Sequence, residues 1–404
     1  MQDKNFIKKL YNSQTKKIFD LLLAHGEARF IGGCVRDAIL GIEFTDIDIA
    51  TNLLPDEVTQ ILESVGIKVI PTGIKHGTVT ALVDNKSFEI TTLRQDIACN
   101  GRHAEVSFTD SWQIDSARRD FTINSLSSSF DGVLYDYHNG IDDLENHKVK
   151  FIGNPEDRIN EDYLRILRFF RFSGKYGNCI FDAETTKLCK KFRYHISQLS
   201  DERIYEEFSK IALHNSYSNV FHEMINNNIL ESIFPEKKLN ADLVKSLTTA
   251  SNNLKLMPEM VTVLASILYG SGSVECSILK KKSDQKLLNR MLQFPFQEFH
   301  DIENQIKKLH YLTGEYFKQF FLLFFALYHH EIYNMLMIDL FTIYSKKDKN
   351  IFPVNGLDLL KLGFKDGVEI GKMLAKLENL WIDDNFRMSK EELLEQINIL
   401  GTEC

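Results

Sequence analysis

The sequence lacks a long apolar run. Nowhere in its 404 residues do 18 or more apolar residues follow one another, so no membrane-spanning helix is expected. Cysteine is scarce. The six, at 34, 99, 179, 189, 276 and 404, form no Cys-x-x-Cys pair. Their spacing suits neither a zinc site nor a disulfide framework, and the expectation is a reduced, cytoplasmic protein with structural thiols. There are only 7 prolines, with no low-complexity linker and no internal repeat. Met1 to Asn5 show no basic stretch leading into an apolar one, so no signal peptide is expected. An excess of positive charge is missing too. Lys and Arg number 48 against 56 Asp and Glu, a net charge of −8, which is not the usual footprint of a nucleic-acid binder.

What is present places the chain among globular proteins. Apolar residues make up 44% and charged residues 26%, too apolar for a disordered chain. At roughly 150 residues per domain the length predicts about two or three domains. Charge is uneven: residues 1–150 carry net −6, and the remaining 254 carry −2.

Texture changes near the same point. Ala28–Ile31, Ile47–Ala50, Thr78–Val83 and Ser87–Thr92 alternate, are rich in β-branched residues and read as strands. Phe6–Leu23 and Pro55–Val65 read as flanking helices, the second with Pro55, Asp56 and Glu57 in its first turn. From about residue 155 helical periods dominate, including the aromatic-rich Phe317–Tyr328. The expected architecture is a small α+β head followed by a long all-helical body.

Phe30-Ile31-Gly32-Gly33-Cys34-Val35-Arg36-Asp37 reads as a short strand running through paired glycines into a helix. Glycines remove side chains where backbone must come close to something, and amides there can cradle phosphate oxygens. Arg36, one turn in, could add a charge-assisted bond to a triphosphate. An ordinary strand–turn–helix explains the motif about equally well. Asp46 and Asp48, at i and i+2 on an apparent strand, then fall on one face, with Ile47 and Ile49 on the other. Carboxylates that close repel unless a cation sits between them, and Mg²⁺ accepts such a pair with water and phosphate oxygens. Glu89, between Phe88 and Ile90 on another strand, could complete the group. Three acids around one or two Mg²⁺ fit in-line nucleotidyl transfer.

Five ordered motifs then resemble one family, the class II tRNA nucleotidyltransferases (CCA-adding enzymes) and the related bacterial poly(A) polymerases. They are Gly32-Gly33-Cys34-Val35-Arg36-Asp37 with Asp46-Ile47-Asp48; Arg118-Arg119-Asp120-Phe121-Thr122-Ile123-Asn124; Asp136 to Leu144; Glu161-Asp162-Tyr163-Leu164-Arg165; and Ser200-Asp201-Glu202-Arg203-Ile204. They span about residues 28–210. Phe352 to Gly371 is similar to a tail segment of bacterial members.

The resemblance implies a nucleotidyltransferase head at 1–145, a helical neck at 146–215, and a helical body and tail at 216–404. It implies addition of C, C and A to the tRNA 3′ end from CTP and ATP, with Mg²⁺ held by Asp46 and Asp48 and with Asp46, Asp48 and Glu89 as the catalytic acids. Glu161 through Arg171 reads as one helix after Pro155, with Asp162, Arg165, Arg168 and Arg171 along a stripe. Cytosine and adenine both present an amino donor beside a ring-nitrogen acceptor; uracil and guanine present the reverse. One Asp next to one Arg therefore admits C and A and rejects U and G, by ~10⁴-fold or more where unpaired groups are buried. The family assigns this role to Asp162 and Arg165. By the same match Gly32, Gly33, Arg36, Arg119, Arg168 and Arg171 bind nucleotide, and Asp120 meets the ribose or holds the site together.

Arg94 to His103 is polar, lacks a period and reads as a mobile loop. In the family a loop here helps switch from CTP to ATP, so its length favours complete CCA addition. The lysines at 280–282 and 286 with Arg290, and those at 346, 347 and 349, are candidate tRNA phosphate contacts, although charge runs are more often solvated faces. His300-Asp301 stands without a ligand set and implies no metal-dependent hydrolase. The alternatives are poly(A) addition to RNA 3′ ends and, less favoured, a non-catalytic RNA-binding protein; oligomeric state is not legible.

Overall fold

The computed structural model describes residues 7–100, 103–296, 301–328, 334–365 and 367–400. Met1 to Phe6, the pair Gly101-Arg102, His300 and Cys404 lie outside them. The chain divides into two compact units, 1–236 and 237–404.

The first unit opens on a helical segment that is broken where one continuous helix was expected. Asn12 ends the turn Ile7–Leu10 and caps Ser13–Leu23: its side chain accepts from the Thr15 N–H at 2.8 Å, and the Thr15 hydroxyl accepts from the Asn12 N–H at 2.9 Å. This capping box satisfies two otherwise orphaned amides. The helix buries Ile18, Phe19 and Leu22 against the sheet, with the Phe19 and Phe30 rings 4.5 Å apart.

Seven strands form one mixed sheet in the order β3-β4-β5-β2-β1-β8-β9. They are β1 (Ala28–Ile31), β2 (Asp48–Thr51), β3 (Lys68–Gly73), β4 (Thr78–Val83), β5 (Lys86–Thr92), β8 (Ser127–Ser128) and β9 (Leu134–Tyr135). The β2–β5 pair is parallel and the other pairs are antiparallel. β4 and β5 turn through Asp84 and Asn85, both with positive φ (49° and 62°), the geometry two-residue hairpins favour. β2 starts one residue later than the expected Ile47, so Asp46 precedes the strand and Asp48 is its first residue.

The stretch expected to be a loop is instead a two-stranded ribbon, β6 (Arg94–Asn100) with β7 (His103–Phe108). Residue composition hid the pairing, because the ribbon is polar and lies apart from the seven-stranded sheet.

Helices follow. Pro155–Glu161 is capped by Asn154 and ends at Asp162, whose backbone is extended (φ −157°, ψ 107°). Leu164–Tyr176 then begins anew, burying Ile166, Leu167, Phe169, Phe170 and Phe172. The single helix expected through Asp162 is therefore two. Asp201–Ala212 and Tyr217–Asn226 complete the neighbourhood, so residues 216–236 belong to the first unit.

In the second unit every regular element among the described residues is a helix. Phe317–Leu327 buries Phe317 and every residue from Gln319 to Ala326, leaving Lys318 exposed in its first turn. Asp301 caps Ile302–Thr313, accepting from the Asn304 N–H at 3.2 Å, which gives it a structural role. A further cluster packs Leu359 and Leu377 around Trp381. Among the described residues no helix is long and apolar enough to cross a membrane.

Candidate active site

The site begins where β1 runs into the helix Gly33–Ile39. Gly32 has φ +70°, a conformation side chains rarely adopt, and a Cβ there would stand 3.1 Å from Arg119 Nη1. Gly33 differs. Its nearest neighbour to a built Cβ is Arg36 Nη2 at an ordinary 3.6 Å, and the residue faces two cavities. The fold therefore dictates Gly32 but leaves Gly33 to whatever enters from the cavity.

Parallel pairing of β2 with β5 sets Asp48 directly beside Glu89. Burial first, then Glu89 and Asp46, push the Asp48 carboxyl up to about 6 against the pull of Arg119. Asp46 is exposed and, with Asp48, lines one cavity of about 800 Å³. Such mutual repulsion is what a bound cation relieves. Among the described residues no three His, Cys, Asp or Glu side chains gather closely enough to hold a metal by themselves. The donor set suits a hard cation that takes one or two carboxylates and completes its shell from water and substrate phosphates.

An adjoining cavity of about 640 Å³ is lined by ten of the residues singled out in the sequence: Gly32, Gly33, Arg36, Asp48, Arg119, Asp120, Asp162, Arg165, Arg168 and Arg171. Asp46 lies in the neighbouring cavity, and Glu89 reaches the group through its strand partner. The wall carries seven Arg and Lys side chains against three Asp. That balance suits a polyanion.

Asp162 and Arg165 meet at the helix break, not along a helical stripe. The Arg165 N–H donates to the Asp162 carbonyl at 3.0 Å. The Asp162 carboxylate caps the new helix through the Leu164 N–H (3.1 Å) and accepts from Arg203 at 2.7 Å. Arg165 Nη1 donates to the Arg158 carbonyl at 2.7 Å and to Glu161. Its other guanidinium hydrogens leave capacity for a ligand.

Arg36 departs from the expected geometry. It is 6% exposed, its Nε donates to Asp37 at 2.8 Å, its Nη1 donates to Asn124, and its guanidinium lies 4.0 Å from the Tyr176 ring centroid. It braces three elements, and its triphosphate-facing role narrows to the Nη2 beside Gly33. Asp120 is likewise committed, accepting from Asn124, the Phe121 N–H and Arg168 at 2.9, 2.9 and 2.7 Å. Burial opposes its charge, but Arg168 and these bonds hold its carboxyl below the usual range. Arg168 and Arg171 both pair with buried Glu207, at 3.7 and 2.5 Å.

Sequence reading missed Asn124, Arg203, Glu207 and Lys210 as site residues. Arg203 lay within a quoted motif, and Glu207 and Lys210 follow on the same helix one and two turns later. The root of the β6–β7 ribbon also touches the site. Asp115, 4% exposed, accepts from the Arg94 N–H (3.2 Å) and pairs with Arg118 (2.9 Å) and Arg119 (3.4 Å). Burial works against its charge, but the two arginines keep its carboxyl low.

Comparison with known proteins agrees with this geometry. Residues 28–150 match the family described as "Poly A polymerase head domain", and 180–239 match "Probable RNA and SrmB- binding site of polymerase A". The human protein named CCA tRNA nucleotidyltransferase 1, mitochondrial, is 34% identical across 96% of this chain and 90% of its own length. This chain belongs to the CCA-adding tRNA nucleotidyltransferases. A CCA-adding enzyme of Lactobacillus johnsonii is 37% identical over 57% of the chain and 59% of its own. Among solved structures, the Bacillus stearothermophilus CCA-adding enzyme in complex with CTP aligns at TM-score 0.72 and 22% identity, covering 97% of this chain and 98% of that one. The Thermotoga maritima CCA-adding enzyme complexed with tRNA-CCA aligns at 0.69 and 19%, covering 99% of each. At those identities the likeness is one of fold. Family membership makes the chain an enzyme, and nucleotidyltransferases of this kind use divalent metal ions.

Proposed function

We propose that this protein adds C, C and A to the 3′ end of tRNA, using CTP and ATP without a nucleic-acid template. The observation that carries the reading is the single cavity holding the base-discriminating pair, Asp162 and Arg165, together with Asp48 and an excess of arginines. In this reading the triphosphate lies against Gly32, Gly33, Arg119, Arg168 and Arg171. Asp162 accepts the amino group of C or A, and an Arg165 N–H donates to the adjacent ring nitrogen. Arg203 holds the Asp162 carboxylate toward the base. Asp120 holds Arg168 and Asn124 in place, the structural half of its expected role. Arg36 supports the turn and offers its Nη2.

Asp46 and Asp48, with Glu89 behind them, would hold Mg²⁺. When bound, the metal activates the RNA 3′-hydroxyl and stabilises the departing pyrophosphate. The reading also keeps the head at 1–145, the neck at 146–215 and the body with tail at 216–404, with tRNA held by exposed lysines of the tail. A cytoplasmic location is supported by four unbonded thiols at Cys34, Cys179, Cys189 and Cys276. The human relative's name places that protein in mitochondria, and fractionation of the source cells would distinguish the two.

The deciding experiment incubates the protein with tRNA lacking its terminal CCA and with each nucleoside triphosphate separately and together. CTP alone should extend the tRNA by two residues, and CTP with ATP by three. A long tail from ATP alone would replace this reading with poly(A) addition. No incorporation would favour an RNA-binding protein without catalysis.

A further inference from the structure

We propose that a third cavity, beside the nucleotide cavity, is an anion site for inorganic pyrophosphate. This rests on the nucleotidyl transfer proposed above, which releases that anion. The cavity has a volume of about 380 Å³, and its polar wall is Arg171, Lys175, Lys210, His214 and Ser216 over an aliphatic floor. Arg171 and Lys210 also line the nucleotide cavity, and Lys175 also lines the cavity of Asp46 and Asp48. The third cavity therefore shares a cationic residue with each of the other two.

Its charge is unbalanced. Arg36, Arg168, Arg171, Lys175 and Lys210 share three carboxylates, Asp37, Asp120 and Glu207, which leaves two positive charges over. The two lysines pair at long range, Lys175 with Asp37 at 3.7 Å and Lys210 with Glu207 at 3.8 Å, while Arg36 and Arg171 hold the same carboxylates at 2.8 and 2.5 Å. Burial first, then Arg36 and Arg171, push Lys175 below its ordinary value against the pull of Asp37. Burial and Lys175 lower His214 as well. An entering phosphate oxyanion reverses both penalties. The His214 Nδ1 accepts the Ser216 N–H at 3.2 Å and lies 2.7 Å from the Ser216 hydroxyl; with Nδ1 accepting from both, Nε2 carries the proton of the neutral ring and can donate to a phosphate oxygen.

An enzyme that adds three nucleotides in succession must clear pyrophosphate before each new triphosphate enters. A neighbouring anion site that shares Arg171 and Lys210 would serve that clearance.

The test titrates the full-length protein calorimetrically with sodium pyrophosphate, alone and after saturation with CTP. Saturable binding that persists beside CTP is expected. Lys210→Gln and Ser216→Asp should each weaken it about tenfold or more. Ser216 stands at the N-terminal end of Tyr217–Asn226, where its side chain makes no capping bond and the helix dipole favours a negative charge, so the change brings a charge into the cavity without removing a cap. Ser216 does not line the nucleotide cavity, and CTP affinity should stay within about twofold. One-for-one displacement of pyrophosphate by CTP would overturn the site, as would wild-type affinity in Ser216→Asp. Displacement by the dinucleotide cytidylyl-cytidine would assign the cavity to RNA backbone instead. Binding is read without turnover, so failure to extend tRNA would count against the activity, and loss of pyrophosphate binding against this site alone.

Discussion

Asp48 is held under electrostatic stress that the proposed bound cation would relieve. Its carboxyl is pushed up to about 6, above the ordinary carboxylate value, so the native state binds a proton that the unfolded chain has already lost. Stability from this group is therefore present at low pH and declines as pH rises toward 6. Above 6 the folded protein carries the full repulsion. Asp48→Asn removes it, and thermal unfolding at pH 7.5 without metal should shift upward by about 2–4 °C, the response to ~1 kcal/mol. The gain should shrink toward pH 5. Turnover should fall below about 1% of wild type while tRNA binding stays within about threefold, since the change removes the proposed metal ligand and not a proposed RNA contact. Full turnover by the variant would sink the metal assignment. The two glycines separate in the same way. Gly32→Ala meets a left-handed φ and Arg119, and should destabilise by about 1–3 kcal/mol in denaturant titration. Gly33→Ala meets no such obstacle and should keep wild-type stability yet bind CTP poorly; unchanged CTP affinity would remove phosphate approach as its reason. Asp46 and Asp48 line one cavity, but only Asp48 lies on the strand, so period 2, which singled them out, does not account for their placement. Glu89 was expected to join them from a neighbouring strand, and it stands beside Asp48; the parallel register of β5 on β2 that brings it there is encoded in no local pattern.

At the scale of elements, sequence periodicity misled at the point of greatest functional weight. Glu161 to Arg171 contains neither glycine nor proline, so an unbroken helix was the natural reading. The break is tertiary in origin. Asp162 turns its carboxylate to Arg203 on Asp201–Ala212, and its own side chain then caps the helix that follows. Arg203 is thus a positioning residue. Arg203→Ala should leave the fold intact but raise UTP use relative to CTP, by about tenfold or more in the ratio of kcat/KM values. Arg165→Ala should relax base choice further while changing triphosphate affinity less. If either variant loses all substrates equally, the pair does not read the base. The β6–β7 ribbon was hidden for the converse reason: it pairs outside the main sheet, and none of its described side chains, at 94–97 and 106–108, is buried to imprint an alternation. Its root shares Asp115 with Arg119, which links ribbon and nucleotide cavity through one carboxylate.

At the scale of the molecule, net charge pointed away from nucleic acid while its distribution did not. Residues 1–150 hold −6 of the total −8, and five of the acids there, Asp37, Glu43, Asp46, Asp48 and Asp120, line the two cavities of the candidate site. The boundary of compactness was legible only approximately: residues 216–236 fold with the first unit, because Tyr217–Asn226 packs on Leu164–Tyr176 through contacts no composition shift announces. In the second unit Lys281 and Lys282 stand exposed at the start of the helix Lys282–Gln293, preceded by exposed Lys280. If these three contact tRNA phosphates, each contributes roughly 0.7–0.9 to the slope of log affinity against log salt. Replacing all three with alanine should therefore weaken tRNA binding at low salt and flatten that slope by about 2, measured by filter binding over a range of salt. The KM for CTP should not move, because the cavity that takes it lies wholly among residues of the first unit. An unchanged slope would return the lysines to the solvated surface that such runs more often form, and the tRNA contact would then have to be sought along Lys346, Lys347 and Lys349 by the same measurement.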